Sequence, residues 1–79
     1  MRLVLYGRAW CHLCEDMARA LRGLQGELAF SFEERDVDAD PALEARYGEL
    51  VPVLVAADGG EICHYHLDEA ALRRRLAVK

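Results

Sequence analysis

The 79 residues, 53% hydrophobic and 30% charged, read as one small globular domain over 1–79 rather than several. No run approaches the roughly 20 unbroken apolar residues of a membrane span, and a formal net charge of −4 argues against a nucleic-acid binder, which must neutralise phosphates. Acids concentrate in the middle: residues 27 to 61 hold ten of them against Arg35 and Arg46. The apolar start stops at Tyr6-Gly7 with no small-residue cleavage pattern after it, so no secretory signal and a cytoplasmic location are expected. In that compartment three cysteines argue for one reactive or metal-binding pair plus a leftover thiol, not for a disulfide framework.

Leu3 to Tyr6 is continuously apolar, as in a strand covered on both faces (β1). From Cys11 the spacing turns helical, with Leu13, Met17, Ala20, Leu21 and Leu24 on one face until Gly23 and Gly26 interrupt it (α1). Leu28, Phe30 and Phe32 alternate with Ala29, Ser31 and Glu33, which predicts a half-buried edge strand (β2). Asp40 and Pro41 suit the cap and first position of a short helix, for which Gly48 supplies a left-handed stop after Tyr47 (α2). Val51 to Ala56 is again continuously apolar (β3); Asp58-Gly59-Gly60 turns the chain back through Glu61 to His66 (β4). Leu67, Asp68 and Leu72 have the spacing of staple, cap and staple partner, so a last helix runs from about Glu69 to Leu76 (α3), with Arg73 to Arg75 solvated at its negative end.

The fold class is therefore α/β, in the order β-α-β-α-β-β-α. A right-handed β1-α1-β2 crossover pairs parallel strands, and the β3-β4 hairpin is antiparallel, giving a mixed four-stranded sheet flanked by helices. β1 and β3, which lack polar alternation, are expected at its centre. Antiparallel pairing then sets Val51 and Pro52 beside the loop that carries Cys11.

Cys11-His12-Leu13-Cys14 stands where a strand passes into a helix. There the unpaired amide hydrogens and the helix dipole favour a thiolate at Cys11, and a thiolate is the attacking species in disulfide exchange. Cys14, one turn on, is close enough to resolve a mixed disulfide. Arg8 adds positive charge three residues before the nucleophile.

Tyr6 to Cys14, followed by Asp38 to Pro41, Tyr47-Gly48 and Val51-Pro52, resembles the glutaredoxins and thioredoxins over nearly the whole chain, and most closely the short bacterial glutaredoxin-like proteins. The resemblance implies a thioredoxin-like fold with a cis bond before Pro52. It implies Cys11 as nucleophile and Cys14 as resolving thiol; Arg8, by its charge, and His12, within the motif, are read from the residues themselves as tuning the redox pair. For substrate it implies Arg8 at the glycyl carboxylate of glutathione, Val51 pairing through its backbone, and Asp68 near the γ-glutamyl end. Two departures stand out. Tyr65 and His66 occupy the place of a Gly-Gly pair that lets the backbone approach glutathione, and His12 and Leu13 replace the usual Pro and Tyr.

The expected activity is thiol-disulfide oxidoreduction by a monomer, without a resident cofactor, on protein or peptide disulfides more than on glutathione, which remains a possible co-substrate. Trp10 and Tyr65 would supply apolar contact beside the thiolate, or Trp10 would be partly buried. Cys63 reads as an inert core thiol. A rival reading makes the same thiols a zinc or iron-sulfur carrier, helped by His12 and by His64 and His66 on one face of β4; metal is not the expectation, because that spacing is not a finger pattern. A redox-inert interaction module is the third reading.

Overall fold

A computed structural model describes residues 1–77. Its elements are β1 (Arg2–Gly7), α1 (His12–Leu24), β2 (Ser31–Asp36), a 3-10 turn (Val37–Ala39), α2 (Pro41–Tyr47), β3 (Val53–Ala56), β4 (Glu61–His64) and α3 (Glu69–Ala77). The sheet order is β2-β1-β3-β4. β1 pairs parallel with β2 and antiparallel with β3, and β3 with β4. The mixed four-stranded sheet and the β-α-β-α-β-β-α order follow the sequence expectation, with β1 and β3 central.

Alternation along these two strands divides the core between the faces of the sheet. Leu3 and Leu5, with Leu54 and Ala56, pack beneath Met17, Ala18 and Leu21 of α1 and Leu72 of α3. Val53 and Val55 face the other way, onto Val37 and Tyr47. Tyr6 stacks on the Tyr47 ring with centroids 4.5 Å apart, which fastens α2 to β1. Leu21 and Leu72 are both 0% exposed; cutting either back to alanine costs about 2–5 kcal/mol.

Local chemistry sets the ends of the elements. Asp40 Oδ1 accepts from the Ala42 amide and Asp68 Oδ1 from the Ala71 amide, capping α2 and α3. Gly59, at φ 91°, turns the hairpin, and Asp58 Oδ1 accepts from the Gly60 amide. That amide and Arg75 together hold the Asp58 carboxyl below the usual carboxylate range.

Several boundaries differ from the sequence expectation. β2 starts at Ser31 because the Glu27 and Leu28 amides both still bond the Leu24 carbonyl; Leu28 and Phe30 cover the core from a loop. β3 starts two residues later than expected, at Val53. α1 buries Cys14, Met17, Ala18 and Leu21, so the helical stripe lies one step round from the expected one and leaves Leu13 and Ala20 outside. Gly48 is right-handed, at φ −54°, so no left-handed backbone calls for glycine there; a β-carbon would meet the end of the Glu44 side chain. β4 ends at His64, and Tyr65 at φ 63° breaks the alternation, so His66 does not share a strand face with His64. Arg73 and Arg75 are not free at the end of α3: Arg73 pairs with Glu27 and Glu69, and Arg75 with Asp58.

Candidate active site

Cys11 is the N-cap of α1, in extended conformation at φ −109° and ψ 107°. Its carbonyl accepts the first helical hydrogen bond, from the Glu15 amide at 3.1 Å, and its sulfur accepts from the Cys14 amide, also at 3.1 Å. Cysteine thus does what serine or aspartate does at other helix starts. A disulfide joins Cys11 to Cys14, with Cα atoms 5.2 Å apart. Cys14 is buried and Cys11 half-buried, so the first cysteine is the more exposed of the two. An amide donor and a helix start are the groups that favour a thiolate over a thiol at such a position.

Gly7 matters to this geometry in a way that its sequence position does not reveal. A β-carbon there would stand 3.1 Å from Cys14 Sγ and 3.2 Å from Cys14 Cβ. A side chain on the last residue of β1 would therefore press on Cys14, which would have to shift by a few tenths of an ångström to admit it. From the sequence Gly7 reads only as the end of a strand; contact across the strand-helix junction is what gives it a role. A groove of about 350 Å³ beside it reaches Cys14 and is lined by Gly7, Arg8, Glu15, Glu34 and Asp36 among others.

The flanking residues divide into engaged and open ones. Arg8 Nη2 donates to Glu44 Oε2 at 2.6 Å and to the Gly48 carbonyl at 2.9 Å, with Asp38 Oδ1 at 3.8 Å. Its charge is directed at α2 and the turn before it. His12, first residue of α1, is exposed. Trp10 is 98% exposed and sits at φ 62°, which removes the partly buried alternative. Leu13 and Tyr65 are also exposed, at 38% and 42%. They line one groove of about 200 Å³ with His66 and Leu67, so the motif helix and the segment before α3 do meet.

The Val51-Pro52 peptide bond is cis. Tyr6 pairs with Val53, and continuing that register past the end of β3 sets Val51 level with Arg8, in the loop that leads to Cys11. Leu50 donates its amide to the Tyr47 carbonyl, and the Pro52 carbonyl accepts from the Tyr65 amide. Among the described residues, neither the amide nor the carbonyl of Val51, between them, has a hydrogen-bond partner. A peptide group left unpaired in this way keeps the one donor and one acceptor that strand pairing uses.

Asp68 spends its side chain on the α3 cap. Cys63 is a buried free thiol opposite Leu54; burial pushes its pKa up. His64 is paired with Glu61 at 2.8 Å. Among the described residues no group of three or more His, Cys, Asp or Glu side chains converges as a metal site. No helix there is long and apolar enough to cross a membrane.

Comparison with known proteins agrees with this geometry. Residues 2–77 match the family model described as Glutaredoxin-like domain (DUF836). The solution structure of protein Ne2328 from Nitrosomonas europaea is similar, with 40% identity, 96% of this chain and 91% of that chain covered, and a TM-score of 0.87. An uncharacterized protein of Mycobacterium tuberculosis, Rv0508, is 37% identical over 78 residues, covering 92% of this chain and 79% of its own length. A mutant thioredoxin from Halobacterium salinarum is 29% identical, with 95% of this chain and 70% of that chain covered and a TM-score of 0.64. With a cysteine pair at the strand-to-helix junction of a thioredoxin-like sheet and a family model matched almost end to end, the chain belongs to the glutaredoxin-like proteins of the thioredoxin superfamily.

Proposed function

We propose that the protein is a thiol-disulfide oxidoreductase that works by dithiol exchange through Cys11 and Cys14. The observation that carries this reading is the cysteine pair at the start of α1, where the Cys14 amide donates to the Cys11 sulfur at 3.1 Å and the two sulfurs bond to each other. In the reducing direction, the Cys11 thiolate attacks one sulfur of a substrate disulfide. That S–S bond breaks, and the departing substrate thiolate takes a proton from solvent. Cys14 then loses its proton and attacks the Cys11 sulfur, which forms the intramolecular disulfide and releases the second substrate thiol. Two electrons pass to the substrate, and a thiol reductant restores the dithiol. In this reading His12, next to the nucleophile in sequence, tunes it directly, and Arg8 does so only through the loop before Cys11, which it ties to Glu44.

Protein or peptide disulfides are the preferred substrates in this reading. Support comes from the unpartnered Val51 peptide group beside Pro52, which can pair with an extended segment, and from exposed Trp10, Leu13 and Tyr65, which offer apolar contact. Against tight glutathione binding stand the Glu44 carboxylate already on Arg8, the commitment of Asp68 to its cap, and Tyr65 and His66 where the family resemblance implies a Gly-Gly pair. The protein acts as a monomer with no resident cofactor.

Equilibration of the protein across glutathione redox buffers, with mass spectrometry of the trapped species, tests the reading. An intramolecular disulfide exchanging with the buffer is expected. A protein that stays dithiol throughout, or takes glutathione only on Cys63, would contradict it.

A further inference from the structure

The segment Glu49 to Pro52 is gripped at both ends by one residue outside it. Tyr65 donates its hydroxyl to the Glu49 carbonyl at 3.0 Å and its backbone amide to the Pro52 carbonyl at 2.9 Å. Between these two anchors lies Val51, whose own amide and carbonyl have no partner among the described residues. Tyr65 makes both bonds from a left-handed backbone, at φ 63°, closed by a tight three-residue turn in which the His66 amide donates to the His64 carbonyl at 2.7 Å. That conformation is unfavourable for a tyrosine and free for a glycine. The His64 ring braces it from the side, edge-on with centroids 4.7 Å apart.

We infer that Tyr65 is a positioning residue that holds the Val51 peptide group in place for pairing with the backbone of a disulfide-bearing peptide. The inference rests on the exchange activity proposed above and adds a residue to it. A peptide group that is already fixed loses less freedom when a strand pairs with it, so the benefit falls on substrates that have a backbone to offer. A small disulfide without one gains nothing from the order of Val51. The strained tyrosine thus acts through Val51 and gives the protein a bias towards peptides, in addition to any contact its ring makes.

The test uses pre-reduced protein in single-turnover oxidation, where two protein thiols and one disulfide give the protein disulfide and two substrate thiols. A short disulfide-bridged peptide is compared with bis(2-hydroxyethyl) disulfide. Tyr65→Phe removes only the hydroxyl anchor, worth one ordinary hydrogen bond, so the ratio of half-saturating concentrations, peptide over small disulfide, should rise about 2- to 10-fold. The peptide's maximal rate should fall much less. Tyr65→Gly, which also releases the backbone strain, should raise that ratio at least as far. In parallel, 15N relaxation of Tyr65→Phe should show a lower order parameter at Val51 and none at β1. An unmoved ratio, or an order parameter at Val51 equal to the wild type's, overturns the inference while the exchange reading stands. If the wild type oxidises with neither disulfide, the exchange reading falls instead, and relaxation at Val51 alone still reports whether Tyr65 orders that segment.

Discussion

Arg8 donates to the Glu44 carboxylate at 2.6 Å, across 36 residues of chain. The loop that leads to the cysteine pair is thereby tied to α2, and the same guanidinium also holds the Gly48 carbonyl at 2.9 Å. The tied Glu44 carboxylate lies in the space that a β-carbon at Gly48 would occupy, so a larger residue there would require the Glu44 side chain to shift.

The two residues should not be equivalent in stability. A part-exposed ion pair contributes about 0.2–1 kcal/mol, whereas the hydrogen bond from Arg8 to a carbonyl adds about 1.5–3 kcal/mol at most. Arg8→Ala is expected to destabilise by about 1–2 kcal/mol and Glu44→Ala by about 0.5 kcal/mol in urea unfolding. Equal losses would show that the Gly48 bond contributes nothing. Because a substrate carboxylate must compete with Glu44 for Arg8, Glu44→Gln should also lower the half-saturating concentration of a glutathione mixed disulfide.

Gly7 is the position where a single methyl group should disturb the cysteine pair. At 3.1 Å from Cys14 Sγ an added β-carbon is too tight, and over-packing of this kind costs about 1–3 kcal/mol. Gly7→Ala should lose stability in that range and slow the closure of the Cys11-Cys14 disulfide, read as longer-lived mixed disulfide in quenched reactions. Unchanged stability together with unchanged closure would mean that the junction yields freely.

Cys63 predicts a pH dependence of opposite direction to that of a paired carboxylate. Burial raises its folded-state pKa above that of the free thiol, so the unfolded chain releases its proton first as pH rises. The stability from keeping this thiol neutral is complete below the unfolded value of about 8.5 and is lost as pH climbs from there through the folded pKa. Cys63→Ala in the oxidised protein should flatten the alkaline fall in stability measured between pH ~8 and ~10, and leave exchange kinetics nearly as they are. An alkaline fall of the same size in the variant would assign it to other groups.

The sequence carries the sheet and the cysteine pair because both are written in local signals. Two continuously apolar runs mark β1 and β3, the Asp40-Pro41 and Asp68 caps mark helix starts, and Cys11 stands at the first such start. What escapes is decided by contacts between distant segments. Arg8 looks like a free charge until Glu44 and Gly48 arrive from α2. Tyr65 looks like bulk in a glycine's place until its hydroxyl is found on Glu49. Leu28 and Phe30 alternate like a strand, yet a loop that packs against a core produces the same period of two.

The central claim, that Cys11 attacks and Cys14 resolves, meets its most direct test in Cys14→Ser. The pre-reduced variant is mixed with a bridged peptide disulfide and analysed by mass spectrometry after acid quench and digestion. The account predicts a stable mixed disulfide between the peptide and Cys11, formed faster as pH rises through a thiol pKa below the free value of about 8.5, and none in the corresponding Cys11→Ser protein. A peptide adduct found on Cys63, or formed equally well at Cys14 when Cys11 is replaced, would contradict it.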